Sequence, residues 1–93
     1  MKSVDVLVSD MTEQVIRNAE LPAEEKVYRF IDALCRELAL PARGPDGLPI
    51  KYQILHKETH TQILDLETLS QKGVNNGDTL MLIPEITAGA TWT

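Results

Sequence analysis

The stretch Thr68-Leu69-Ser70-Gln71-Lys72-Gly73-Val74-Asn75-Asn76-Gly77-Asp78-Thr79-Leu80-Met81-Leu82-Ile83-Pro84 decides how this chain folds. Thr68 and Gln71 stand at the spacing of a capping box, in which the threonine hydroxyl takes a backbone N–H and the glutamine side chain reaches back. A single helical turn is expected there, stopped by Gly73. Asn75-Asn76-Gly77-Asp78 is a strong turn signal. Thr79 to Ile83 is then an apolar strand closed off by Pro84. It is the most apolar strand of the sequence, which fits a central position in a sheet, beside the first strand.

Upstream of this stretch, Lys51 to Lys57 supplies the β-favouring residues Tyr52, Ile54 and Leu55. A polar turn at Glu58-Thr59-His60 leads the chain back through Thr61 to Leu64 as a hairpin. Arg43-Gly44-Pro45-Asp46-Gly47-Leu48-Pro49 is dense in turn formers and reads as a loop. Before it, Val27, Phe30, Ile31, Leu34, Cys35 and Leu38 recur at the spacing that lines one side of a helix. Pro22 at the first helical position, followed by Glu24 and Glu25 at the positive end of the helix dipole, predicts a start there and a run to about Leu40. At the N-terminus Val4, Val6 and Val8 fall on one face of a strand and Asp5, Leu7 and Ser9 on the other. Val15 to Leu21 alternates more weakly and predicts a second strand, paired with the first as a hairpin.

One helix and four to five strands are too poor in helices for a doubly wound sheet. The expected class is therefore α+β, a mixed sheet packed on one helix. The chain has 93 residues, enough for one compact core. Its 43% hydrophobic and 25% charged residues lie within the globular range. Fourteen acidic against nine basic residues give a net charge of -5, which disfavours phosphate backbones and anionic lipid surfaces, so neither nucleic acid nor membrane insertion is expected. No apolar run approaches the roughly 20 residues of a membrane span, and the N-terminus alternates instead of forming a signal-peptide block. One cysteine, Cys35, forms no internal disulfide. The reading is a cytoplasmic protein.

Taken together, the hairpin, the Val27-Phe30-Ile31-Leu34 helix face and the run Thr68-Leu69, Val74, Gly77-Asp78-Thr79-Leu80-Met81-Leu82 resemble the ubiquitin-like β-grasp family over nearly the whole chain. The compact Gly-Asp-Thr-Leu turn and the acidic character look like bacterial members, both YukD-like proteins of secretion loci and small protein modifiers. The resemblance implies a domain over residues 1–86 and a flexible C-terminal tail over residues 87–93. It implies recognition by other proteins and no enzymatic activity. Modifiers of this family end in two glycines, and here Ala88 and Gly89 stand where that pair falls, with Ala90-Thr91-Trp92-Thr93 beyond. The leading expectation is a modifier precursor trimmed after Gly89 by a processing protease and passed to an activating enzyme and a conjugating enzyme. Glycine suits such a site because a residue without Cβ threads a narrow channel. The alternative is a non-covalent YukD-like module in a secretion or other protein complex, and a weaker one is a sulfur carrier.

Several side chains remain to be assigned. Met11, Met81 and Ile83 are expected on the outer sheet face as an exposed apolar patch for protein binding, with Leu80 and Leu82 facing inward. Gln53 is the polar residue at the corresponding third-strand position. Cys35, on the apolar helix face, reads as a small core hydrophobe and not as a nucleophile. His56 and His60 flank a hairpin turn, where a spacing of four does not bring them together as metal ligands. Glu24, Glu25, Asp65 and Glu67 are expected at helix starts in capping roles. No catalytic constellation results, and no motif calls for a metal or cofactor.

Overall fold

A computed structural model of the chain describes residues 2–85. It contains β1 (Ser3–Asp10), β2 (Ile16–Pro22), a 3-10 turn (Val27–Arg29), α1 (Ile31–Glu37), β3 (Tyr52–His56), β4 (Thr61–Ile63) and β5 (Thr79–Pro84). The five strands form one mixed sheet in the order β2-β1-β5-β3-β4. β1 runs parallel to β5, pairing Val8 with Leu80, and every other neighbour is antiparallel. The apolar β5 is thus the central strand, as its composition predicts.

Alternation decides which way each strand faces. Val4, Val6 and Val8 of β1, Ile54 of β3, Ile63 of β4 and Leu80 and Leu82 of β5 are buried in the core. Phe30, Ile31, Leu34 and Leu38 from the helical segment join them, together with Val27 and Leu69. At roughly 1.5–3 kcal/mol for each large apolar side chain removed from water, this layer is the main source of stability in a chain without a disulfide.

The helix is shorter than its periodicity predicts, at both ends. Pro22 is the last residue of β2 and not the first of a helix. A proline is tolerated there because β2 is an edge strand. The next residues are committed elsewhere: Ala23 N–H donates to Lys2 O at 3.0 Å, Val27 N–H to Glu67 O at 3.0 Å and Tyr28 N–H to Asp65 O at 3.1 Å. Backbone donors tied to the neighbouring turn cannot wait for a helix, so Glu24 and Glu25 lie in a turn. At the other end Leu40 N–H donates to Cys35 O and Ala39 N–H to Arg36 O, both at 3.0 Å. This pair of bonds is a Schellman cap, with Ala39 at φ 55° in the place glycine usually takes.

The capping box forms as read: Thr68 N–H donates to Gln71 Oε1 at 2.9 Å and Gln71 N–H to Thr68 Oγ1 at 3.1 Å. It closes a turn and not the expected helical turn, with Gly73 at φ 69° turning the chain away. Asp65 and Glu67 lie in the preceding turn, outside any helix, where Glu67 accepts the Leu64 N–H at 2.8 Å. The 75–78 turn is latched to β1. Asp5 N–H donates to Asn76 Oδ1 at 2.9 Å, and Gly77, at φ 89°, returns its N–H to Asp5 O at 2.8 Å.

Candidate protein-binding surface

An exposed apolar patch is expected from the sequence on the face of the sheet turned away from α1. Met81 and Ile83 project from β5 on that face, each half-buried, while Leu80 and Leu82 beside them are 0% and 1% exposed. Met11 lies in the β1–β2 turn and is 55% exposed. The register adds a residue that the sequence reading missed. Leu55 of β3 pairs with Met81, and Gln53 pairs with Ile83. The strict alternation of β3, with Tyr52, Ile54 and His56 inward, was the signal that puts Leu55 outward. Ile16, 45% exposed, stands opposite Ser9 on β2.

Ser9 is the unexpected member of this face. It pairs with Ile16 on one side and Met81 on the other, yet it is fully buried and its Oγ has no hydrogen-bond partner. A buried hydroxyl left unpaired costs about 1–3 kcal/mol. Nearby, Lys57 reaches from the end of β3 to Glu13 in the β1–β2 turn, with Nζ 2.8 Å from Oε2. Both residues of this ion pair are exposed, so it contributes about 1 kcal/mol at most.

His56 and His60 do not converge on a shared site. His60 is exposed at φ 56°, whereas His56 is 1% exposed and paired at both ring nitrogens: Nε2 lies 2.7 Å from Asp78 Oδ2 and Nδ1 2.9 Å from Thr59 Oγ1. Glu58 accepts the Thr79 N–H with both oxygens, at 2.9 and 3.0 Å. The Asn75 N–H and the His56 ring hold the Asp78 carboxyl below its ordinary value of 3.8.

Cys35 borders a groove of about 510 Å³ between α1 and the 41–50 loop, floored by Ile31, Leu40, Ile50 and Tyr52. Burial, with Asp32 nearby, pushes its thiol up to about 11. A thiol in that state is not a nucleophile near neutrality, in line with the packing role read from its place in the stripe. Ala88 and Gly89, the proposed processing point, lie outside the described residues.

The family model described as "WXG100 protein secretion system (Wss), protein YukD" matches residues 3–82. No curated protein matches the sequence. Among solved structures, the EccD5 ubiquitin-like domain from Mycobacterium xenopi is similar with a TM-score of 0.70 and 20% identity, covering 94% of this chain and 99% of that one. Caldiarchaeum subterraneum ubiquitin is similar with a TM-score of 0.66 and 21% identity, covering 95% and 100% respectively. A ubiquitin-like domain of an Arabidopsis thaliana protein has a TM-score of 0.66 at 14% identity, over 98% and 86%. At these identities the structural likeness speaks for the ubiquitin-like β-grasp fold alone.

Proposed function

The chain belongs to the YukD family of the WXG100 protein secretion system, and from that premise we propose that it works as a non-covalent interaction module within a protein complex of such a system. The family match over residues 3–82 carries this reading. It favours the module over the modifier precursor, which rests on Ala88 and Gly89 alone. The domain offers a partner a surface and no reaction.

The outer sheet face is the surface we assign to that partner. Met81, Ile83 and Leu55, half-buried on the sheet, together with the exposed Ile16 and the exposed Met11 of the β1–β2 turn, offer a partner apolar area of the kind that marks interaction sites. Removing it from water supplies about 25 cal/mol per Å² before the cost of association. Ile83→Asp places a charge in the middle of this area while leaving Leu80 and Leu82 in the core. The expected outcome is an unchanged circular dichroism spectrum together with loss of co-purification with the proteins that the wild-type chain retains from its own cell. An unfolded variant would show that Ile83 belongs to the core. Intact-mass spectrometry of the protein from its own cell separates the two readings of the C-terminus. Full-length chain without adducts supports the module, and a species ending at Gly89 with adducts to other proteins would restore the modifier.

A further inference from the structure

His56, Glu58 and Asp78 come from the end of β3, the β3–β4 turn and the turn before β5, and one donor atom from each lies within 4.8 Å of the other two. From this convergence we infer that the three side chains form a site for a single divalent zinc-like cation, independent of the surface proposed above. His56 is buried and held at Nδ1 by Thr59, so its Nε2 is aimed at the two carboxylates and not at solvent. Fixing one ring nitrogen through a neighbouring oxygen is how proteins orient an imidazole toward a metal.

The two separations from His56 are close to what such an ion needs. A tetrahedral ion with bonds of about 2.0–2.2 Å sets neighbouring donor atoms roughly 3.4 Å apart. His56 Nε2 is 2.7 Å from Asp78 Oδ2 and 3.7 Å from Glu58 Oε1. Asp78 must withdraw by about 0.7 Å and Glu58 approach by about 0.3 Å, displacements within reach of side-chain torsion alone. Glu58, 41% exposed, leaves the fourth position open to water. Its Oε2, 3.0 Å from the Thr79 N–H, can keep that hydrogen bond while Oε1 turns to the ion.

Proton bookkeeping is simple. In the metal-free state His56 Nε2 shares a hydrogen bond with Asp78 and Nδ1 shares one with the Thr59 hydroxyl. For binding, Nε2 gives up any proton it shares with Asp78, and Nδ1 carries the ring N–H with the Thr59 hydroxyl as its acceptor, which leaves the Nε2 lone pair for the cation. The two carboxylates balance the two charges of the ion. One imidazole with two carboxylates suits zinc and its transition-metal neighbours, whereas magnesium prefers oxygen donors and keeps several waters.

Isothermal titration of the full chain with zinc chloride, paired with thermal unfolding, tests the site. One saturable equivalent is expected, with a rise in Tm that EDTA reverses and that magnesium chloride does not produce. Glu58→Gln should weaken zinc at least tenfold, and Thr59→Val, which removes only the orienting hydroxyl, about tenfold. Both changes lie at the protein surface or beside it, so binding can be read on folded protein. His60→Ala should leave binding unchanged. Absence of saturable binding, binding that survives both Glu58→Gln and Asp78→Asn, or binding lost in His60→Ala would each overturn the proposal.

Discussion

His56 and Asp78 meet at 2.7 Å across the entry to the central strand, and the pair makes one part of the stability depend on acid. Asp78 has its pKa lowered by the Asn75 N–H and by His56, so its contribution is fully present above the unfolded value, near 3.8, and is lost as pH falls through the lower folded value. Urea unfolding followed from neutral pH down to about pH 2 should show wild type losing stability in that acid window. Asp78→Asn should lose less across it, having no such carboxylate to protonate. Ser9 gives a prediction of the opposite sign. Its hydroxyl is buried without a partner, so Ser9→Ala should raise stability by about 1 kcal/mol in denaturant unfolding, the low end of the cost of an orphaned polar group. Neither residue was legible in this role beforehand. Ser9 read as one of the outward positions of β1, and nothing in a single strand tells that its two neighbours would seal it. His56 was weighed against His60, four residues away, while its actual partner lies 22 residues downstream.

At the scale of elements, the strands were legible and the helix limits were not, for a physical reason. Period-two alternation in β1 and the apolar run of β5 are local signals, and both strands appear within a residue or two of where those signals place them. Helix ends depend on where backbone donors are spent, and here Val27 and Tyr28 spend theirs on carbonyls nearly 40 residues away, a pairing that no helical periodicity reveals. The C-terminal end was hidden by Ala39, a strong helix former by propensity that sits in the left-handed conformation of the cap. That position is strained by roughly 1–2 kcal/mol for a residue with a Cβ. Ala39→Gly releases the strain at some cost in chain entropy, so a net gain of about 0.5–1 kcal/mol is expected, measured as a higher urea midpoint at unchanged slope. An unchanged or lower midpoint would mean that the cap tolerates alanine without strain.

Over the whole molecule, the two faces of the sheet differ in their surroundings. One face holds α1 and the core, and the other carries Met81, Ile83 and Leu55, so a substitution on the outer face is expected to spare the core. The candidate surface was legible to the extent that alternation was legible: Met81 and Ile83 follow from Leu80 and Leu82, but Leu55 needed the register between β3 and β5. The parallel pairing of β1 with β5 has a kinetic consequence of its own. The sheet's centre joins the first strand to the last, and the contact that latches them, Asp5 N–H to Asn76 Oδ1, bridges positions 71 residues apart. The N-terminal hairpin can form early, but the inner edge of β1 has no partner until Thr79 to Pro84 have been made. Loop closure on that scale must precede the contacts that reward it. The domain therefore completes its sheet late, and a nascent chain halted before β5 is expected to be a substrate for chaperones or proteases.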